Sequence, residues 1–88
     1  MYLYLGQDTV INISEVIGIF DMDNTTGSKI TKAYLAAAQK TGRVVEVSQE
    51  IPKSFVVCER NGKTSVYLSQ ISPATLRKRS GFLQEIAL

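Results

Sequence analysis

The sequence predicts a small α+β domain: a mainly antiparallel sheet of about five or six strands, one central helix and a short C-terminal helix. Three observations carry this. Short β-branched and aromatic runs, separated by turn-forming residues, lie on both sides of the middle of the chain. One segment between them has apolar residues at three-to-four spacing and is closed by Gly42. Asn61-Gly62 lies between two further β-type runs, the strongest short hairpin signal in the chain.

Taken in order, Tyr2 to Leu5 and Thr9 to Ile13 read as a hairpin around the turn residues Gly6-Gln7-Asp8. A third strand follows over Glu15 to Phe20, where Gly18 marks a bulge or a close backbone approach, and it runs into a turn-rich loop, Asp21 to Gly27. Ser28 is placed to cap the helix, whose apolar positions are Ile30, Tyr34, Ala37 or Ala38, and Thr41. Ala33, Ala36 and Ala37 form an unusually small face, which permits close approach to the sheet or to another copy of the same helix; packing on the sheet is expected. Arg43 to Ser48 alternates as a strand ended by Pro52, and Ser54 to Arg60 pairs with Lys63 to Ser69 through a type I′ turn. Ser72-Pro73 places a capping residue before a proline at the first helical position, which starts a helix running to about Arg79 and stopped by Gly81. The tail from about residue 82 reads either as a further helical turn or as a mobile end.

Eighty-eight residues is the length of one domain, so residues 1–88 are read as a single unit. A domain this small buries a modest core, and this one has no staple to help it. Its one cysteine, Cys58, excludes an internal disulfide, and the lack of histidine leaves no Cys/His zinc cluster. With 44% hydrophobic residues, the apolar excess points to self-association, a homo-oligomer. The opening Met1 to Gly6 lacks the basic start and cleavage site of a signal peptide, and no apolar run is long enough to cross a bilayer. A cytoplasmic protein without membrane partners is expected.

Net charge is +2, but its distribution is uneven. Residues 1–28 hold Asp8, Glu15, Asp21 and Asp23 and no base, while residues 29–88 hold ten bases against four acids. The second part suits a polyanion. Lys53, Arg60 and Lys63 lie on or beside the second hairpin, and Arg77, Lys78 and Arg79 are consecutive in the last helix. These six are the candidate nucleic-acid contacts. Structural roles compete for them, because cations near a helix C-terminus complement the macrodipole and turn lysines keep sheet edges soluble.

Two sharper motifs fail. Ile17 to Phe20 followed by Asp21-Met22-Asp23-Asn24-Thr25 matches the strand and D-x-D-x-T of haloacid-dehalogenase phosphatases. That chemistry also needs magnesium ligands, a lysine and a parallel doubly wound sheet, and the residues after Thr25 are too few to build the several crossovers required. As a calcium loop the same stretch has Gly27 one place late and Lys32 where a bidentate glutamate belongs. Cys58 has no histidine to activate it and reads as a small core residue. No catalytic residue and no cofactor or metal is expected.

Leu3-Tyr4-Leu5-Gly6, Val10 to Ile13, Val16-Ile17-Gly18-Ile19, the helix closed by Gly42, Phe55-Val56-Val57-Cys58, and Val66 to Ser69 followed by Ile71 to Leu76 together resemble the RemA/RemB regulators of bacterial extracellular-matrix genes, and the RemB branch most. The resemblance covers nearly the whole chain and implies cytoplasmic oligomers, rings in the RemA branch, that bind DNA and activate matrix (biofilm) operons. In that branch an arginine-rich segment before the strand matching Ser54 to Cys58 contacts DNA. Here the segment reads Ser48-Gln49-Glu50-Ile51-Pro52-Lys53, with one cation and one acid, so the load is expected to move to Arg60, Lys63, Arg77, Lys78 and Arg79. A regulatory DNA-binding oligomer is the reading chosen. A regulatory protein-interaction module without DNA contact is the alternative, and an aspartate-based phosphatase is a remote third.

Overall fold

The structure, a computed structural model, describes residues 1–22 and 28–80. The loop 23–27, with Asp23 and Thr25 of the phosphatase-like motif, and the tail 81–88 lie outside the described residues. Strands β1 (Tyr2–Gly6) and β2 (Thr9–Asn12) form an antiparallel hairpin that is a sheet of its own. Asn12 closes it, its Oδ1 accepting the Ser14 N–H at 3.0 Å and starting a 3-10 turn, Ile13–Glu15. After β3 (Val16–Asp21) come α1 (Ser28–Lys40), β4 (Val44–Glu46), β5 (Ser54–Arg60), β6 (Lys63–Ser69) and α2 (Pro73–Ser80). The second sheet has the order β3-β5-β6-β4, antiparallel except that β4 runs parallel to β6.

The α+β architecture with six strands and two helices is as the sequence predicts, with two corrections. The strands divide between two sheets, because the first hairpin turns its apolar face onto the larger sheet instead of joining its edge. The small face of α1 also points the other way. Ala33, Ala36 and Ala37 are exposed, whereas Ala38 is fully buried and packs with Leu35 against Phe55, Val57 and Val66. Tyr34, expected on the packing face, is 38% exposed.

Both faces of the four-stranded sheet are therefore covered. On one, Leu3, Leu5 and Ile11 of the hairpin and Leu76 of α2 meet Ile19, Val56 and Cys58. On the other lies α1. This accounts for the unbroken apolar run Phe55 to Cys58 in β5, a central strand buried on both sides. Each fully buried side chain of this size adds about 1.5 to 3 kcal/mol over its exposed state. Two buried hydroxyls tie the layers together: Ser54 Oγ donates to the Ile71 carbonyl and Ser69 Oγ to the Leu5 carbonyl, each at 2.8 Å.

The predicted stop and turn signals do their work by geometry. Gly42 takes φ +71°, while its N–H donates to the Gln39 carbonyl and that of Arg43 to the Ala38 carbonyl, a Schellman closure of α1. Asn61 and Gly62 both have positive φ, 53° and 79°, as a type I′ turn requires. Gly18 serves both roles read from the sequence: the β3–β5 register shifts between Val16 and Gly18, and the Phe20 ring lies over it so closely that a Cβ would sit 2.6 Å from Cζ. The same ring stacks on Phe55, with centroids 5.0 Å apart.

Candidate nucleic-acid interface

The basic cluster of α2 starts from its cap. Ser72 Oγ accepts the Thr75 N–H at 3.3 Å, Pro73 fills the first helical position without a donor to waste, and Leu76, fully buried, pins the helix to β1 and β3. Successive residues turn by about 100° on a helix, so Arg77, Lys78 and Arg79 leave in three directions. Arg77 reaches back to the sheet, where it is half-buried and its Nη2 donates to the Ile19 carbonyl at 2.6 Å. Lys78 and Arg79 are exposed and, among the described residues, have no carboxylate partner.

The direction of the Ile19 carbonyl follows from the ladder. Val66 N–H donates to the Arg43 carbonyl and Val47 N–H to the Leu68 carbonyl, so residues 66 and 68 of β6 face β4. Alternation carried through the registers then makes residues 55 and 57 of β5 face β3, and turns the backbone of Ile19 away from β5. The Met22 N–H bond to the Lys53 carbonyl agrees with this parity. Arg77 therefore occupies a carbonyl on the outer edge of β3.

At the tip of the β5–β6 hairpin, Arg60 and Lys63 are register partners, two cations side by side. Glu15 offsets them, its Oε2 lying 3.5 Å from Arg60 Nε, although the Arg60 side chain is 78% exposed. A pair this open is worth at most about 1 kcal/mol. Glu15 also acts inward. Burial, with Glu15 adding to it, pushes the Cys58 thiol up to about 11, so it stays protonated and unreactive near neutral pH. Burial likewise raises the Tyr67 hydroxyl, helped by Cys58 and Glu15 and opposed by Arg60.

The six sequence-predicted residues do not form one patch. Lys53 precedes β5 and Arg60 ends it, seven residues apart along an extended strand, or about 23 Å. Lys53 is exposed, and beside its loop stand Glu46 and Glu50, both exposed. These six bases are not paired with Glu46, Glu50 or Glu59; Arg60 pairs with Glu15 instead. Sequence reading missed Glu15 as the partner of Arg60 and missed the inward turn of Arg77. The first had no local signal, since the two residues are far apart in the chain.

A family model described as "RemA-like: Extracellular matrix regulatory protein A-like" matches residues 2–80. The chain belongs to the RemA-like family. It is also similar to the extracellular matrix regulatory protein B of Bacillus subtilis (strain 168), 36% identical over 86 residues that cover 98% of each chain. The resemblance to the RemA/RemB group, and to the RemB branch within it, is thus established over nearly the whole chain. RemA-like proteins are described as regulatory proteins of the extracellular matrix, and the described part of this one has no helix long and apolar enough to cross a membrane.

Proposed function

We propose that this RemA-like protein regulates extracellular-matrix gene expression from the cytoplasm as a homo-oligomer. It holds double-stranded DNA by phosphate contacts and has no enzymatic step. The observation that carries the reading is the pair Lys78 and Arg79, exposed at the end of a firmly docked helix with no acid to neutralise them among the described residues. Lys63, exposed at the hairpin tip, extends the set, and Arg60 joins it by exchanging a weak surface pair for a phosphate. Arg77 contributes by holding the helix in place.

Self-association is supported by apolar surface left on the outside. Tyr2, Tyr4 and Val10 are 69%, 48% and 53% exposed on the outer side of the first hairpin, and Ile17 and Phe20 are open on β3. A few cations per subunit are a weak site alone; repeated around an oligomer they form a belt of charge.

The test is light scattering together with fluorescence anisotropy on a duplex across a salt series. A mass above 9.7 kDa is expected. Binding is expected to weaken linearly in log salt, with similar affinity on unrelated sequences, and each phosphate contact contributes about 0.9 to the slope. Lys78→Ala with Arg79→Ala should lower the slope more than Lys53→Ala. A monomer, or no salt-dependent binding at low ionic strength, would sink the proposal.

A further inference from the structure

The two edges of the four-stranded sheet are treated differently. On β3 the outward Ile19 carbonyl is taken by Arg77, and the strand is bulged at Val16 to Gly18. On β4 the parity that directs Arg43 and Val47 toward β6 turns the backbone N–H and C=O groups of Val44 and Glu46 outward. None of the described residues pairs with them from that side. Beside this edge lie two adjoining depressions of about 260 and 580 Å³ that share Glu46, Ser48, Gln49 and Glu50. Leu68 and Ile51 line the smaller one, and Ile51 is 86% exposed. The rim is held in shape, because Ser48 Oγ accepts the Glu50 N–H at 3.0 Å.

We infer that the β4 edge is a docking site for an extended peptide segment of another protein, which pairs as a fifth strand and brings a basic residue to Glu46 and Glu50. The open backbone groups supply strand pairing, the affinity of β-augmentation, and side chains at alternate positions supply selectivity. Val44 and Glu46 are two residues apart and share one face of the sheet, that of Val66 and Leu68. The segment that fits therefore has an apolar residue beside Val44 and, two positions away, a lysine or arginine beside Glu46. Charge complementarity decides the class. Glu46 and Glu50 line the site, no cation does, and neither glutamate has a basic partner among the described residues. The site lies outside the proposed DNA contacts, so the protein can hold a polyanion and a basic peptide on different surfaces.

The probe is a fluorescein-labelled peptide, Thr-Lys-Thr-Val-Thr-Lys-Thr, whose Lys-x-Val-x-Lys pattern serves either strand direction. It is titrated into the full chain while backbone amide NMR shifts are followed. Binding should move Val44, Val45, Glu46 and residues 48–51. It should weaken about tenfold or more for the peptide with glutamates in place of its lysines, for the peptide N-methylated on alternate amides, and for Glu46→Lys with Glu50→Lys. Shifts centred elsewhere, or affinity unaltered by methylation or charge reversal, would overturn the inference. Val44 and Glu46 amides already protected from exchange in the protein alone would also overturn it, since a second copy would then fill the edge. A loss of DNA binding or of oligomer mass leaves these readouts in place, so the two proposals fail separately.

Discussion

The β3 and β4 edges of one sheet differ in what reaches them. A helix docked through Leu76 extends Arg77 across β3 and satisfies the Ile19 carbonyl, whereas Glu46 at the end of β4 and Glu50 in the loop after it line an open cleft. An unpaired edge invites strand addition, and proteins blunt it with charge, bulges or brevity. Here β3 has a bulge and a cation on its outward carbonyl; β4 has its brevity and the acid Glu46, but nothing among the described residues on its outward backbone groups. The cation on the closed edge is structural, and its neighbours Lys78 and Arg79 are left for phosphate.

The largest effect expected of this contrast comes from proline on β4. The Val45 N–H faces β6, so Val45→Pro strands a carbonyl of fully buried Val66, while the Glu46 N–H faces outward and tolerates replacement. Val45→Pro should cost about 2 to 3 kcal/mol more than Glu46→Pro in urea unfolding. Equal costs would mean that the parity of β4 is wrong. Next comes Arg77→Ala, which removes a charge-assisted bond and should cost about 1.5 kcal/mol, with Arg77→Lys recovering part of it. If Lys78→Ala costs as much, Arg77 has no special place on the edge.

A smaller effect appears in alkali. The Cys58 thiol rises from 9.0 to about 11 on folding, so the folded state keeps its proton while the unfolded state loses one. Stability from this group is complete below about pH 9 and is lost as pH rises toward 11. Tyr67, raised in the same direction, adds to the fall. Melting temperature followed from pH 8 to 11 should decline less steeply in Cys58→Ala than in the wild type, and parallel curves would contradict the assignment. The smallest change is Arg60→Ala, an open pair with Glu15, expected to shift stability by less than about 1 kcal/mol and to fade in salt.

Most of the fold was legible where one or two residues dictate backbone geometry. Gly42, Asn61-Gly62 and Ser72-Pro73 each mark a boundary found where expected, and Gly18 marks a bulge. What the chain order conceals is which elements lie side by side. Nothing local makes β4 parallel to β6, separates the first hairpin into its own sheet, or turns Ala38 inward instead of Ala37, because those choices minimise exposed surface over the whole molecule. The candidate site shows the same division. That two of three consecutive cations must face solvent follows from helix geometry, and Lys78 and Arg79 do. That Arg77 turns to Ile19 depends on β3 being an edge strand, and the openness of Val44 and Glu46 depends on β4 being the other edge.

The division between a phosphate surface and a peptide edge is tested most directly by measuring both ligands on both sets of variants at low salt. Lys78→Ala with Arg79→Ala should weaken duplex DNA about tenfold or more and leave the Thr-Lys-Thr-Val-Thr-Lys-Thr affinity unchanged. Glu46→Lys with Glu50→Lys should lose the peptide and leave DNA binding undiminished or tighter, since two acids become cations. Contradiction would be either pair of substitutions weakening both ligands together in proteins that remain folded, which would place DNA and peptide on a single surface.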